Sequence, residues 1–231
     1  MRKEKIGELM MNFIIDFLKT YNDIFTVIGL SLIVSVSSTL ISSCLGLSLG
    51  IYISLNDFKI KKLLMRVTNT LMSLPPVLIG LLVYMLLSRK GPLGSLQLLF
   101  TPTAMIISQT LLVFPIILGL TVSSVSEICK EIEFTCISLG ASKKDTFFTI
   151  LKECKLQLLS VVTAGFGRAI SEVGAVMMVG GNIKGATRVM TTYIALETGK
   201  GNFNEAVFIG FVLLFISFTI NSILYNLKGS E

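Results

Sequence analysis

Arg168 and Glu172 stand four residues apart in an otherwise apolar stretch, Gly165-Phe166-Gly167-Arg168-Ala169-Ile170-Ser171-Glu172-Val173-Gly174. On a helix that spacing sets the guanidinium beside the carboxylate, so that each charge partly offsets the other. The chemistry open to such a pair is electrostatic. A lone charge at the centre of a membrane-spanning helix costs about 2.5–3.5 kcal/mol, so ionisable groups held there mark a solute pathway by default. Two other readings compete: a structural ion pair buried between helices, and a position near the cytoplasmic interface from which long side chains snorkel to water. If the pathway reading holds, the Ser171 hydroxyl and Asn182, just past Gly180-Gly181, add hydrogen-bond donors. Arg168, Ser171, Glu172 and Asn182 are therefore the candidate pathway residues.

Covalent and metal chemistry have little to build on. There is no histidine, and Cys44, Cys129, Cys136 and Cys154 form no CxxC pair, so neither a metal site nor a catalytic residue is expected and free thiols in a reducing cytosol are the simpler reading. No GxxxxGK[ST] loop is present to hold nucleotide phosphates. An intramembrane enzyme would want a nucleophile beside its base, and a stand-alone carrier would show an internal repeat; neither pattern is found.

The elements that must position these residues are membrane spans. Of 231 residues, 52% are hydrophobic and 15% charged, with a mean hydropathy of +0.81. No Asp, Glu, Lys or Arg occurs between Asp23 and Asp57, Arg66 and Arg89, or Lys90 and Glu127. Each run exceeds the roughly 20 residues needed to cross hydrocarbon. With two further stretches, spans are expected at about 24–55, 67–88, 102–126, 156–180 and 206–227. Residues 1–23 read as an amphipathic interfacial segment that is not cleaved. The net charge of +6 is spread through the loops, which is a membrane pattern; no nucleic acid partner is expected.

Within the spans, Ser31, Ser35, Thr39 and Ser43 run beside Ser38, Ser42, Gly46 and Gly50 at spacing four, a stripe suited first to close helix packing. Pro75-Pro76 predicts a kink in the second span. Thr101-Pro102 predicts a capped start for the third, whose Gln109 should face protein or a cavity and whose Pro115 lies inside the helix. After the fourth span, a surface or re-entrant helix is expected over Thr187–Glu197.

Residues 127–155 form the one long polar insert. Ile128, Ile132, Cys136 and Leu139 share a helix face, Gly140 is placed to end that helix, and Ser142-Lys143-Lys144-Asp145 is a capping box that starts another. Two short helices meeting at Gly140-Ala141 are expected to project from the membrane. Phe147 and Phe148 just beyond would either enter a partner or pack back on the bundle.

This insert resembles the cytoplasmic EAA loop of permease subunits in binding-protein-dependent ABC importers. Leu139-Gly140-Ala141-Ser142 and Ile150 fall in register with its glycine and isoleucine. Phe134, Thr135 and Cys136 occupy the Glu-Ala-Ala positions with Glu133 one place early, and Lys152-Glu153 stand where Leu-Pro is usual. From Ala164 to Phe203, Gly-Arg-Ala-Ile-Ser-Glu-Val-Gly-Ala-Val, Val-Gly-Gly-Asn-Ile, Thr-Arg-Val-Met-Thr-Thr and Ala-Leu-Glu-Thr are similar to tungstate importer permeases, with molybdate permeases more divergent.

The resemblance implies an all-α, multi-pass protein of the cell membrane, with an ABC type-1 domain over 24–227, five spans and a cytoplasmic coupling loop at 127–155. It implies a permease for an oxyanion, tungstate first, with molybdate or another oxyanion as the alternative. It further implies a homodimer, an ATP-binding subunit that supplies the hydrolysis, an extracellular anion-binding protein, and no cofactor in this chain. Glu133, Leu139, Gly140, Ala141, Ser142, Phe147, Phe148 and Ile150 would serve ATPase coupling. Lys and Arg number four in 57–66 and five in 127–155, against two in 89–102 and three in 184–202. Those loops follow the positive-inside rule for an outside N-terminus, whereas the basic N-terminus itself opposes it.

Overall fold

The computed structural model describes residues 2–229, with side chains described over 23–126 and 128–223. The interfacial segment expected at 1–23 lies, apart from Asp23, outside the described side chains. Among the described residues all regular structure is helical: α1 (Arg2–Leu55), α2 (Lys61–Met72), α3 (Pro76–Leu87), a 3-10 turn at Gly94–Leu96, α4 (Pro102–Ser138), α5 (Lys143–Glu153), α6 (Lys155–Ile170), α7 (Gly174–Gly180), α8 (Met190–Lys200) and α9 (Phe203–Gly229). Asp23–Leu55, Pro102–Ser126 and Phe203–Ile223 are continuous apolar helices long enough to cross a bilayer. Two bent pairs, α2 with α3 and α6 with α7, bring the number to five if each is one span.

The central contact is α1 against α4, and the small-residue stripe makes it. Ser31, Ser35, Ser38, Thr39, Ser42 and Ser43 are buried. A Cβ on Gly46 would come within 2.8 Å of Ile117, and one on Gly50 within 2.6 Å of Thr121, so only glycine allows this approach. Ser38 Oγ donates to Gln109 Oε1 at 2.8 Å, and Ser42 Oγ to the Thr110 carbonyl at 3.2 Å. The stripe is helix packing. Around it Val34, Val83, Met105, Val113, Ile117, Val161 and Val176 form the main core.

The second span differs from the expected kinked helix over 67–88. Its helical part begins at Lys61, and at Ser73–Pro75 the chain turns through 98°. Pro75 and Pro76 lack N–H donors, and Pro75, preceding a proline, is extended at φ −60°, ψ 128°. The third span begins as expected, with Thr101 Oγ1 accepting from Ala104 N. The helix does not end with the apolar span at Ser126: α4 runs unbroken to Ser138, so the first helix of the insert continues the helix of the span. Pro115 does not interrupt it, and no further proline follows to stop it. The expected surface helix over Thr187–Glu197 is α8, three residues later at each end.

Contacts sort the connections into two ends. Asp23 at the start of the first span pairs with Lys184 at 2.6 Å, and Phe100 N donates to Val179 O at 2.9 Å. At the other end the Lys61 ammonium, 3.0 Å away, and Lys130 hold the Asp57 carboxyl below its ordinary value.

Candidate functional site

The projecting corner begins where α4 leaves the apolar span at Ser126. The remaining turns to Ser138 carry it about 18 Å further at 1.5 Å per residue. The helix stops because Gly140 takes φ +75°, a left-handed conformation that costs any L side chain roughly 1–2 kcal/mol. The N–H groups of Gly140 and Ala141 return to the Ile137 and Cys136 carbonyls. Ser142 then opens α5: its Oγ accepts from Asp145 N while the Asp145 carboxylate accepts from Ser142 N, both at 3.2 Å.

The corner has a buried side and an exposed one. Ile150 is fully buried with Ile51, Val125, Cys129, Cys154 and Leu158, which rivets α5 to α1, α4 and α6. Burial pushes the Cys129 thiol up to about 12 and raises that of Cys154, so both behave as small apolar groups. Phe147 packs back on this cluster, its ring edge-on to Phe148 at 5.8 Å. Phe148 faces outward, as do Leu139 (81% exposed), Phe134 and Ile137. Glu133 and Ala141 are half-buried, and Gly140 and Ser142 are exposed. Of the two aromatics Phe147 packs back on the bundle and Phe148 does not, and Ile150 supports the surface from beneath without reaching it.

Arg168, Ser171 and Glu172 gather at the second discontinuity, where α6 and α7 meet at 55°. No proline breaks the helix here; the backbone groups released by the bend have side-chain partners instead. Gln109 Nε2 donates to the Ala169 carbonyl at 2.7 Å, and Thr191 Oγ1 to the Glu172 carbonyl at 2.8 Å. Glu172 Oε1 accepts from Ala175 N at 3.0 Å in the first turn of α7, and its Oε2 accepts from Arg168 Nη1 at 2.7 Å. Glu172 is 3% exposed, whereas the Arg168 side chain is 33% exposed. The carboxylate is a satisfied element of the bend, and the guanidinium keeps one open side. Ser171 is exposed, but its hydroxyl turns back to the Gly167 and Arg168 carbonyls.

Asn182 does not join this group. It lies beyond the other end of α7, at φ 51°, and its Oδ1 and backbone carbonyl accept from Arg188 Nε and Nη2, each at 3.3 Å. Arg188 also lies over the Tyr193 ring, 5.7 Å from its centre. The two residues border a cavity of about 470 Å³ with Asp23, Lys184, Glu197 and Lys200 on its walls. Glu197 is buried; hydrogen bonds from Lys200 at 2.6 Å and Asn202 at 2.8 Å hold its carboxyl below the ordinary range. Burial and the neighbouring Glu205 raise the Tyr193 hydroxyl. Arg188 and Glu197 stand in the Thr-Arg-Val-Met-Thr-Thr and Ala-Leu-Glu-Thr motifs but are not legible as site residues, because in a polar connecting segment charged residues stand out from nothing.

Residues 42–229 match the family described as the binding-protein-dependent transport system inner membrane component. A tungstate uptake system permease protein, TupB, of Peptoclostridium acidaminophilum is 49% identical over 89% of this chain and 90% of its own length. Its Campylobacter jejuni counterpart is 36% identical over 86% of each chain. The molybdenum transport system permease protein ModB of Haemophilus influenzae is 31% identical over 71% of this chain and 75% of its own.

Proposed function

Because the chain belongs to the family of binding-protein-dependent transport system inner membrane components, we propose that it is the permease through which tungstate enters the cell, driven by a separate ATP-hydrolysing subunit. The single observation that carries the substrate is the likeness along nearly the whole chain to a tungstate permease, well above that to a molybdenum permease. Two copies enclose the pathway about an axis normal to the membrane, an arrangement that symmetric oligomers favour. The projecting corner is cytoplasmic, the N-terminus outside, and an extracellular anion-binding protein delivers the solute to the face formed by Asp23, Lys184 and α8.

Each corner meets one ATP-binding subunit through Leu139, Phe148, Phe134 and the Gly140 turn. Apolar side chains this exposed in water favour a partner's groove. Glu133, Ala141 and Ser142 flank that contact, while Phe147 and Ile150 transmit it. Since Ile150 joins α5 to α1, α4 and α6 in one packed cluster, closure of the ATPase pair moves these helices together and not the loop alone. Along the pathway, donors suit a tetrahedral dianion better than a fixed deep charge. Arg168 presents its open side and Glu172 is already neutralised; the exposed Ser171 hydroxyl donates to the solute by leaving the Gly167 carbonyl, and Asn182 acts at the far end of α7 by holding Arg188.

The test is metal accounting. Cells with and without the gene, grown in equal trace tungstate and molybdate, are assayed for both metals by mass spectrometry. Loss of tungsten alone is expected; loss of molybdenum, or of neither, refutes the substrate.

A further inference from the structure

α2 lies across the bundle and not along it. Its axis makes 98° with α3, so with α3, about 18 Å long, directed along the bilayer normal, α2 runs parallel to the surface. The depth follows from α4. Leu64 and Met65 of α2 pack on Leu118 and Val122, and Met72 covers Gly119. From Pro102 at the outer end of α4, Gly119 and Val122 are about 26–30 Å along at 1.5 Å per residue. That is the full thickness of the hydrocarbon, roughly 30 Å. α2 therefore sits at the inner boundary between acyl chains and headgroups.

Around α2 the residues fall in three arcs at 100° per residue. Thr68, buried, with Leu64, Met65 and Met72 faces the bundle. Leu63, Val67 and Leu71 form an exposed apolar arc, continued by Ile60 before the helix. Lys62 and Arg66 lie one turn apart on the remaining arc, beside Asn69, all exposed. Lys61 is taken by Asp57 at 3.0 Å, but Lys62 and Arg66 make no ion pair among the described residues. Apolar groups turned to the acyl layer and unpaired cations at its edge define a surface that complements anionic lipid.

We infer that α2 is a binding site for the phosphate headgroups of anionic lipids in the inner leaflet, with Lys62 and Arg66 as the phosphate contacts and Leu63, Val67 and Leu71 set among the acyl chains. The site holds whichever solute the chain carries; it rests on the proposed orientation, with the Gly140 corner inside, and on α3 lying along the bilayer normal. Bound lipid would brace α2 against α4 next to the Pro75–Pro76 turn.

The test uses the full chain, with phosphatidylglycerol and phosphatidylcholine as probes. In native mass spectrometry from detergent the wild type is expected to retain phosphatidylglycerol in preference. Lys62→Gln/Arg66→Gln is expected to weaken that retention about 25-fold, at roughly fivefold per basic residue near an anionic surface, and to leave phosphatidylcholine unchanged. The charge-conserving Arg66→Lys keeps the preference, which separates loss of charge from loss of fold. A nitroxide on Val67→Cys in a Cys44→Ser background, in vesicles of the two lipids, should be open to oxygen and closed to a water-soluble relaxant. No headgroup preference in the wild type, or undiminished preference in the double variant, overturns the proposal. So does efficient disulfide formation between Val67→Cys of two copies with the label shielded from oxygen, which would make the apolar arc an interface between copies.

Discussion

Replacing Arg168 by glutamine would strip its cation from a carboxylate that is 3% exposed. Removing one partner of a buried pair costs about 3–5 kcal/mol. Two features lower that figure here. The Arg168 side chain is one-third exposed, so water already screens part of the pair, and Ala175 N still donates to Glu172 Oε1. About 2–3 kcal/mol remains. Glu172→Gln keeps an acceptor for Ala175 N and leaves a guanidinium that can turn to its open side, at a cost of about 1 kcal/mol. The double variant buries no charge and should cost about 1–1.5 kcal/mol, less than Arg168→Gln alone, so the coupling between the sites is about 2 kcal/mol. Thermal unfolding of the full chain in detergent, with transport measured on the same preparations, provides the readout. Strictly additive costs would refute the ion pair as an element of the bend. A fully stable Arg168→Gln that has lost transport would assign Arg168 to the solute, and one that transports at the full rate would remove it from the pathway.

Further outcomes follow from the packing. Gly50→Val should destabilise the chain by about 1–3 kcal/mol, since the new Cβ would stand 2.6 Å from Thr121; the loss appears as a lower unfolding temperature, and a neutral result would contradict the α1–α4 contact. Ile150→Ala should cost about 2–5 kcal/mol by opening a cavity in the cluster that holds α5, read by the same unfolding assay and by faster hydrogen exchange in α5. For Glu197 the sign runs through its lowered pKa. A depressed carboxylate contributes stability that is present above its unfolded value, near 4.5, and is lost as pH falls through the folded value. Wild type should therefore exceed Glu197→Gln in stability at neutral pH, with the difference shrinking under acid; a constant difference would contradict the Lys200 and Asn202 contacts.

Much of the architecture is written in short-range chemistry and could be read directly. The Thr101-Pro102 start, the Gly140 stop and the Ser142–Asp145 box depend on hydrogen bonds within five residues, and the structure has all three. The Ser38-Ser42-Gly46-Gly50 stripe is legible because glycine and serine at spacing four leave room for one thing, another helix. What was not legible depends on distant partners. Nothing local ends a helix between Ser126 and Ser138, so the apolar-to-polar change in composition suggests an element boundary where the helix has none. Pro75-Pro76 signals a break, but its size is set by α2 docking on Leu118 and Val122. The bend at Ser171–Val173 has no proline at all and is stabilised by Gln109 and Thr191, far along the chain.

At the candidate site the same division holds. That Arg168 and Glu172 were exceptional followed from where they stood; that Glu172 caps α7 and so serves the bend did not, because the break itself was not visible. Phe147 and Phe148, adjacent and alike, have opposite environments set by the rotation of α5 about Ile150. In the sequence Asn182 offers an amide to the pathway; in the structure it is the positioning partner of Arg188, one α7 length away from the other candidates.

In the proposed mechanism, force from ATP reaches the spans through the exposed side of the Gly140 corner and moves tungstate. This is tested most directly in proteoliposomes holding the chain with its ATP-hydrolysing partner and tungstate-loaded binding protein. Leu139→Asp and Phe148→Asp, at surface positions, should leave the unfolding temperature unchanged while abolishing both partner association and ATP-driven tungstate accumulation. Accumulation at the wild-type rate by the stable double variant would contradict it.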